Sequence, residues 1–393
     1  MTTTADQGTD LAALLSLDDV ALAARRVLAE PVWDYVAGGS GTESTLRDNR
    51  DAFDRVHLVP RVLVGAATYD LGTELLGTPM GLPVGVAPMA YQRLLHPDGE
   101  VALAEAARDE GAVFVASMLS SEPVERIAAT GAAVWLQLYW LRDRRVIADL
   151  VTRAEDAGCR ALMLTVDVPR MGRRLRDMRS GFTLPGDVVA ANLPPEVRAP
   201  AHESGANSSA LMVHTGLAFD PKLSWQDLDW LRRRTRLPIV VKGVLHPDDA
   251  VRAVDRGVDA VVVSNHGGRQ LDGVVPSIAA LEPVVAAVDG RCAVLLDSGV
   301  RGGVDVARAL ALGASAVLVG RPALWGLAVG GRAGARRVLS LLRAELEDAM
   351  AMMGCADLRA LGHGATVPAG GSVPTMRGRA SGDAPARSAG WSP

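Results

Sequence analysis

The chain of 393 residues has few cysteines, no long apolar run and no excess of positive charge. Each shortage excludes a class. Cys159, Cys292 and Cys355 are scattered, odd in number and without metal-ligand spacing. No disulfide framework or metal site is therefore expected, and a reducing cytosol fits such cysteine usage. A membrane helix needs roughly 18 or more consecutive apolar residues, and no run approaches that length. The formal charge of −4 leaves no basic surplus for nucleic acid. The opening Met-Thr-Thr-Thr-Ala-Asp-Gln is polar and holds no apolar signal-peptide segment. The expectation is a soluble, cytoplasmic protein with neither a membrane nor a nucleic acid as partner.

What is abundant is apolar residue in short, punctuated runs. The apolar fraction is 49%, ample for a large core. An Ala-rich helical stretch, a glycine and a short apolar run recur in that order. Examples are Ala102–Glu110 with Gly111 and Val113–Ala116, and Val306–Leu312 with Gly313 and Ala316–Val319. Gly131, Gly158 and Gly257 occupy the same place in other repeats. A glycine there reads as the left-handed residue that ends a helix. A continuous apolar run reads as a strand buried on both faces, the mark of a parallel sheet. Eight candidate strands follow: Val84–Ala87, Val113–Ala116, Val134–Leu138, Ala161–Val166, Ile239–Val241, Ala260–Val263, Ala293–Leu296 and Ala316–Val319. Eight such units over roughly 250 residues predict an α/β fold, a closed (β/α)8 barrel of the TIM type, with a doubly wound open sheet as the alternative. The barrel is expected over about 80–345, inside one domain of residues 1–363. Residues 18–36 read as an amphipathic helix outside it. The long interval after the fourth strand, with weak periodicity over 177–207, reads as a lid or as disorder. The Gly-, Pro- and Ser-rich tail, 364–393, reads as disordered.

Polar residues gather where these strands end, the face on which such barrels carry active sites. In chain order the ends carry Pro88-Met89-Ala90, Ser117, Gln137 with Tyr139, Thr165 with Asp167, Lys242, Ser264 with His266, Asp297, and Gly320-Arg321. The segment Ser264–Asp272 reads Ser-Asn-His-Gly-Gly-Arg-Gln-Leu-Asp. Its histidine can move a proton near neutrality, and Arg269 can grip a carboxylate or phosphate. Asp297-Ser298-Gly299-Val300-Arg301 and Gly320-Arg321-Pro322 suit a phosphate, since Gly-rich turns present main-chain N–H groups. The alternative is that these glycines only make tight loops. Lys242 could stabilise negative charge on a bound cofactor, or pair with a loop carboxylate. Asp167 could orient His266 or cap a helix. Arg173 and Arg174 could be merely solvated. His57, His96, His202, His214, His246 and His363 lack comparable surroundings and read as structural or surface residues.

With these segments in view, the chain resembles the FMN-dependent α-hydroxy acid oxidase and dehydrogenase family, which includes glycolate oxidase, lactate oxidase and mandelate dehydrogenase. The matching segments are Asp34-Tyr35, Gly38-Gly39, Ala87–Ala90, Gln137–Tyr139, Thr165–Arg170, Gly172–Arg174, Val241–Gly243, Ser264–Asp272, Asp297–Arg301 and Gly320–Pro322. The resemblance spans about 15–360. It implies FMN as cofactor and His266 as the base, with Asp167 stabilising the imidazolium. It implies Arg174, Arg269, Tyr35 and Tyr139 as the holders of a small 2-hydroxy acid. Lys242 is implied beside the flavin, with Ser117, Gln137 and Thr165 along the ring edge, Ser264 nearby and the Pro88–Ala90 backbone packed against the ring. Asp297 with Ser298 and Gly299 would hold the ribityl chain, and Arg301, Gly320 and Arg321 the phosphate. No metal is implied. Leu119 stands where short-chain oxidases of the family often carry tryptophan, so Met89 and Leu119 would line an apolar pocket for an aromatic ring. This points to (S)-mandelate or (S)-4-hydroxymandelate as substrate, with glycolate or lactate as the alternative. The loop after the fourth strand lacks the apolar, basic insertion of membrane-bound mandelate dehydrogenases, which favours O2 as electron acceptor. The resemblance also implies a homotetramer or octamer.

Overall fold

A strand whose two faces are both covered needs apolar residues at every position, and eight runs of this chain meet that condition. In the computed structural model, which describes residues 9–198, 210–362 and 364–371, they close a barrel. The strands are β1 (Val84–Val86), β2 (Val113–Ser117), β3 (Ala133–Leu138), β4 (Ala161–Thr165), β5 (Ile239–Val244), β6 (Ala260–Val263), β7 (Ala293–Leu296) and β8 (Ala316–Val319). All neighbours are parallel, and β8 pairs back to β1 through Val317 and Val84. Closure rules out the doubly wound alternative. Gly111, Gly131, Gly158, Gly257 and Gly313 all have positive φ, as a left-handed helix end requires.

Alternation along each strand separates two cores. Val113 and Val115 of β2, Ala161 and Met163 of β4, Val240 of β5, Val262 of β6 and Leu318 of β8 belong to an inner cluster built around Trp135. The small side chains of Ala161, Ala260 and Ala316 leave volume for that indole. Leu75 and Met80, from the hairpin Thr73–Leu75 and Thr78–Met80, join the same cluster. Phe114, Leu136, Leu164, Val241 and Val261 face outward to the surrounding helices.

The same period of two decides what lies one layer higher. Continuing the inward register from Val115, Trp135, Met163, Val240, Val262, Leu295 and Leu318 brings Ser117, Gln137, Thr165, Lys242, Ser264, Asp297 and Gly320 to the inside of the C-terminal mouth. Gly320 confirms the register, because a Cβ there would lie 3.5 Å from the Met89 sulfur.

Three expectations are corrected. The helix read over 18–36 is two helices, α1 (Leu17–Val27) and α2 (Glu30–Ala37), separated by extended residues at Leu28 and Ala29. Pro31 has no N–H and fits only in a first turn, so the chain must restart its helix just before it. The interval after β4 is not simply loose: Leu175–Ser180 is helical, and Phe182, Leu184, Val188, Ala190 and Leu193 are buried in the outer core. Asn192 accepts from Val124 N–H at 2.8 Å, which ties this segment to the barrel. The tail does not begin at 364, because Thr366–Pro368 pairs antiparallel with Val56–Leu58. Residues 372–393, His202 and His363 lie outside the described residues, as does the side chain of His214. Among the described residues no helix is long and apolar enough to cross a membrane, and no cluster could hold a metal ion.

Candidate active site at the barrel mouth

A solvent-continuous cavity of about 1170 Å³ opens over the C-terminal ends of the strands. Its wall includes Tyr35, Pro88, Met89, Ala90, Leu119, Tyr139, Arg174, Lys242, His266, Arg269, Asp297, Ser298, Gly299, Arg301, Gly320 and Arg321, so the segments singled out in the sequence converge on one place. Ser117, Gln137, Thr165 and Ser264 form the layer beneath. Ser117 Oγ donates to Gln137 Oε1 at 3.1 Å, and Gln137 Nε2 donates to Thr165 Oγ1 at 3.0 Å.

His266 follows β6 in a short turn with φ of 59°. Its Nδ1 lies 3.0 Å from Asp167 Oδ1. An ionised carboxylate can only accept, so Nδ1 carries the proton and Nε2 is left free to act as a base. Asp167 is thus the orienting partner and not a helix cap. Burial raises the Asp167 carboxyl, but the charges of His266 and Lys242 outweigh it and hold the group below its ordinary value. Burial pushes His266 below its ordinary value despite the pull of Asp167, and Lys242 and Arg174 push the same way. The resting pair is an ionised aspartate and a neutral imidazole. Asp167 Oδ2 has no hydrogen-bond partner among the described residues. Gly243, at φ 107° in the irregular end of β5, makes this possible, since a Cβ there would lie 2.6 Å from the Asp167 side chain.

Lys242 pairs with a loop carboxylate, one of the two roles open to it. Its Nζ is 3.2 Å from Asp297 Oδ2 and 3.1 Å from Ser264 Oγ, and all three groups are buried. Burial opposes the charge, yet Asp297 and Asp167 hold the ammonium above its ordinary pKa. Asp297 also accepts from Ser298 Oγ at 2.7 Å.

The arginines form the third part. Arg173 is exposed, whereas Arg174 turns inward. Arg269 donates to the Tyr35 and Gly38 carbonyls at 2.7 and 2.9 Å. Arg321 reaches the same helix end through Val36 and Gly38, at 3.0 and 2.8 Å. Both therefore satisfy carbonyls that the end of α2 leaves without helical partners. Nη1 of Arg321 also donates to Gly267, so the side chain offers a ligand its charge and the remaining Nη hydrogens. Arg301 lies over the Trp325 ring at 5.0 Å. Arg269, Arg301 and Arg321 have no carboxylate within ion-pair distance among the described residues. Burial, reinforced by neighbouring arginines, pushes Arg269 and Arg301 down to about 10 and Arg321 well down. Three half-buried cations without a carboxylate in ion-pair contact favour anionic ligands.

Residues absent from the sequence reading complete the site. The helix α3 (Ser44–Asp54) clamps the His266 loop. Asp272 accepts from Thr42 N–H, Ser44 Oγ and Thr45 N–H at 2.8, 2.9 and 2.9 Å. Asn49 and Asn265 exchange side-chain amide bonds at 2.9 and 2.7 Å. Phe182 stacks on Tyr35 with ring centroids 4.6 Å apart, and Arg269 covers the ring at 5.2 Å. Buried Asp177 lies 4.0 Å from Arg174, and burial raises its carboxyl against the pull of Arg269 and Arg174. Tyr91 is among the residues around the cavity. Of these, Asn265 and Asp272 stood inside the conspicuous Ser264–Asp272 segment; the others act through contacts that no local pattern announces.

The family model described as FMN-dependent dehydrogenase matches residues 24–367. The chain is 52% identical over 341 residues to 4-hydroxymandelate oxidase of Amycolatopsis orientalis, covering 87% of this chain and 95% of that protein. It is 47% identical over 347 residues to L-lactate oxidase of Nostoc sp., covering 86% and 93%. A crystal structure of mandelate oxidase with (S)-4-hydroxymandelic acid is similar at a TM-score of 0.86 and 52% identity, covering 88% of this chain and 97% of that one.

Proposed function

Because the chain belongs to the FMN-dependent dehydrogenase family, we propose that it oxidises an aromatic (S)-2-hydroxy acid, (S)-4-hydroxymandelate or (S)-mandelate, to the 2-oxo acid, with O2 as final acceptor and H2O2 as second product. The observation that carries this reading is the neutral His266 on the ionised Asp167, set beside two inward arginines and an apolar wall of Met89 and Leu119.

The residues fit FMN. Arg301 and Arg321, with the Gly299 and Gly320 turns, supply half-buried positive charge for a phosphate. Asp297 and Ser298 offer polar groups for the ribityl chain. Lys242 with Ser117, Gln137, Thr165, Ser264 and the Pro88–Ala90 backbone would face the ring. When bound, FMN supplies the acceptor for two electrons.

The chain's own groups do the rest. Arg174 and Arg269 hold the substrate carboxylate, and Tyr35 and Tyr139 offer their phenols to the same end of the molecule. Burial, only partly offset by Lys242, raises the Tyr139 phenol to about 12, so it stays protonated and donates. His266 Nε2 takes a substrate proton as the electron pair leaves the α-carbon. The imidazolium so formed gains its ion pair with Asp167, so the pair is stronger after proton transfer than before it.

The pH dependence follows in sign. Protonation removes the base, and His266 titrates below its ordinary value in the free enzyme. The kcat/KM profile is therefore flat through neutrality and falls on the acid side. In Asp167→Asn the anion that raises His266 is gone, so the acid limb moves to still lower pH. The kcat falls by at least about tenfold, because the imidazolium loses its partner. An acid limb displaced to higher pH in this variant would contradict the assigned pair.

Anaerobic mixing tests the function directly. Purified protein should show a flavin absorption band that (S)-mandelate and (S)-4-hydroxymandelate bleach rapidly. Bleaching by glycolate or L-lactate alone would replace the aromatic reading with the short-chain one.

A further inference from the structure

Arg301 lines the cavity, half-buried, with few partners of its own. Among the described residues its side chain makes one hydrogen bond, from Nη1 to the carbonyl of the adjacent Val300 at 2.7 Å. Asp305 accepts the Arg301 main-chain N–H, but its side-chain ion pairs are with Arg50 and Arg308, at 2.6 and 3.1 Å. What holds the guanidinium from a distance is an aromatic face. Its central carbon lies 5.0 Å from the centroid of the Trp325 ring. A cation over a ring face is attracted by the ring's electron density, and tryptophan is the strongest such partner.

Trp325 stands one turn after Arg321, on the helix Arg321–Met353 that follows the Gly320 turn. It is 6% exposed and does not line the cavity, so it can act on a ligand only through Arg301. Packing fixes the ring. Trp33 of α2 stacks on it with centroids 6.4 Å apart, and Arg25 covers Trp33 at 5.6 Å. The Trp325 Nε1 has no hydrogen-bond partner among the described residues. A buried N–H left unpaired is costly. Phenylalanine would avoid that cost, so what tryptophan adds here is its larger and more electron-rich face.

We propose that Trp325 is a positioning residue for the cofactor phosphate, its ring holding Arg301 in place before FMN arrives. The proposal rests on the reading of Arg301 and Arg321 as the phosphate holders. Arg321 is anchored by the carbonyls of Val36, Gly38 and Gly267. Arg301 has no such set of anchors, and a long side chain free to turn loses that freedom when it grips an anion. A ring against it removes the freedom in advance. The ring carries no net charge, so the arginine keeps its charge and most of its N–H donors for the ligand. A carboxylate in the same place would hold the arginine but compete with the phosphate for it.

The test titrates the full-length protein, stripped of flavin, with FMN and with riboflavin, which share the ring and the ribityl chain and differ in the phosphate. In Trp325→Met the affinity for FMN should fall roughly fivefold while that for riboflavin changes by less than about twofold, the effect of leaving one long side chain to be ordered on binding. Trp325→Leu repeats the comparison with a second side chain that has no ring. Trp325→Phe keeps a smaller face and drops the unpaired N–H, so it should retain most of the preference for FMN and the full thermal midpoint. Arg301→Gln should lower that preference, and Trp325→Met added to it should lower it no further. Equal losses for FMN and riboflavin would make Trp325 part of the scaffold and overturn the proposal. So would a Trp325→Met effect that persists undiminished without Arg301. A preference lowered by Arg301→Gln but untouched by the Trp325 variants refutes the proposal and leaves the phosphate site standing. A wild-type protein that binds both flavins alike overturns the phosphate assignment itself, before any variant is made.

Discussion

His266→Asn will keep a flavin spectrum yet reduce about 10³-fold more slowly when mixed anaerobically with substrate, within the usual contribution of a positioned general base. Asparagine is the informative replacement because residue 266 has φ of 59°, a region that asparagine tolerates well. The turn that carries Gly267, Gly268 and Arg269 therefore keeps its path. Its anchors are independent of the imidazole: Asn265 is bonded to Asn49, and Asp272 to the start of α3. What disappears is a neutral nitrogen able to take a proton, together with the ion pair that Asp167 makes afterwards. The rate constant of flavin bleaching reads the proton-transfer role, and the resting spectrum reads cofactor retention. Bleaching within about tenfold of the wild-type rate would remove His266 from that role.

Lys242→Met will be the most destabilising single change at the barrel mouth. Lys242 and Asp297 are buried, with 4% and 8% of their side chains exposed, and their charges are 3.2 Å apart. Removing the lysine leaves Asp297 as a buried carboxylate with its strongest partner gone. The usual cost of halving such a pair is about 3–5 kcal/mol. Lys242→Met combined with Asp297→Asn removes both charges and should recover most of that loss. Thermal unfolding measured with and without added FMN separates two contributions. The midpoint without FMN reports the ion pair, and the increase on adding FMN reports cofactor affinity. An unchanged midpoint without FMN, with only the FMN increment lost, would show that the lysine serves the cofactor and contributes little to the barrel.

The parts of this site that were legible in the sequence share a cause. A strand buried on both faces must be apolar throughout, so the first polar residue after each run marks its end. Ser117, Asp167, Lys242, Ser264 and Asp297 stood out in this way, and Thr165 broke its run one residue before the end. A glycine after an Ala-rich stretch marks a helix end because few other residues adopt positive φ there. Local signals failed where the determinant was distant. The α1–α2 break is the exception, because Pro31 marks it locally. The pairing of Thr366–Pro368 with Val56–Leu58 joins segments some three hundred residues apart, and nothing in the tail's composition encodes it. The same holds for Asp272 and Asn265, whose partners lie on α3. Tyr91 and Asp177 carry no motif, and their interest lies in burial without satisfied partners.

The sequence by itself determined the barrel, the end of it that carries the chemistry and the residues gathered there, because strand length, side-chain alternation and helix termination are local properties. Only the tertiary structure decided which of those residues act as partners. His266 is a base because Asp167, 99 positions away in the chain, accepts the hydrogen bond from its Nδ1 and leaves Nε2 free. Lys242 is an ion-pair member because β7 brings Asp297 beside it. Charge state, orientation and unpaired capacity depend on what burial places within a few ångströms, and that is set by closure of the barrel and not by neighbours along the chain.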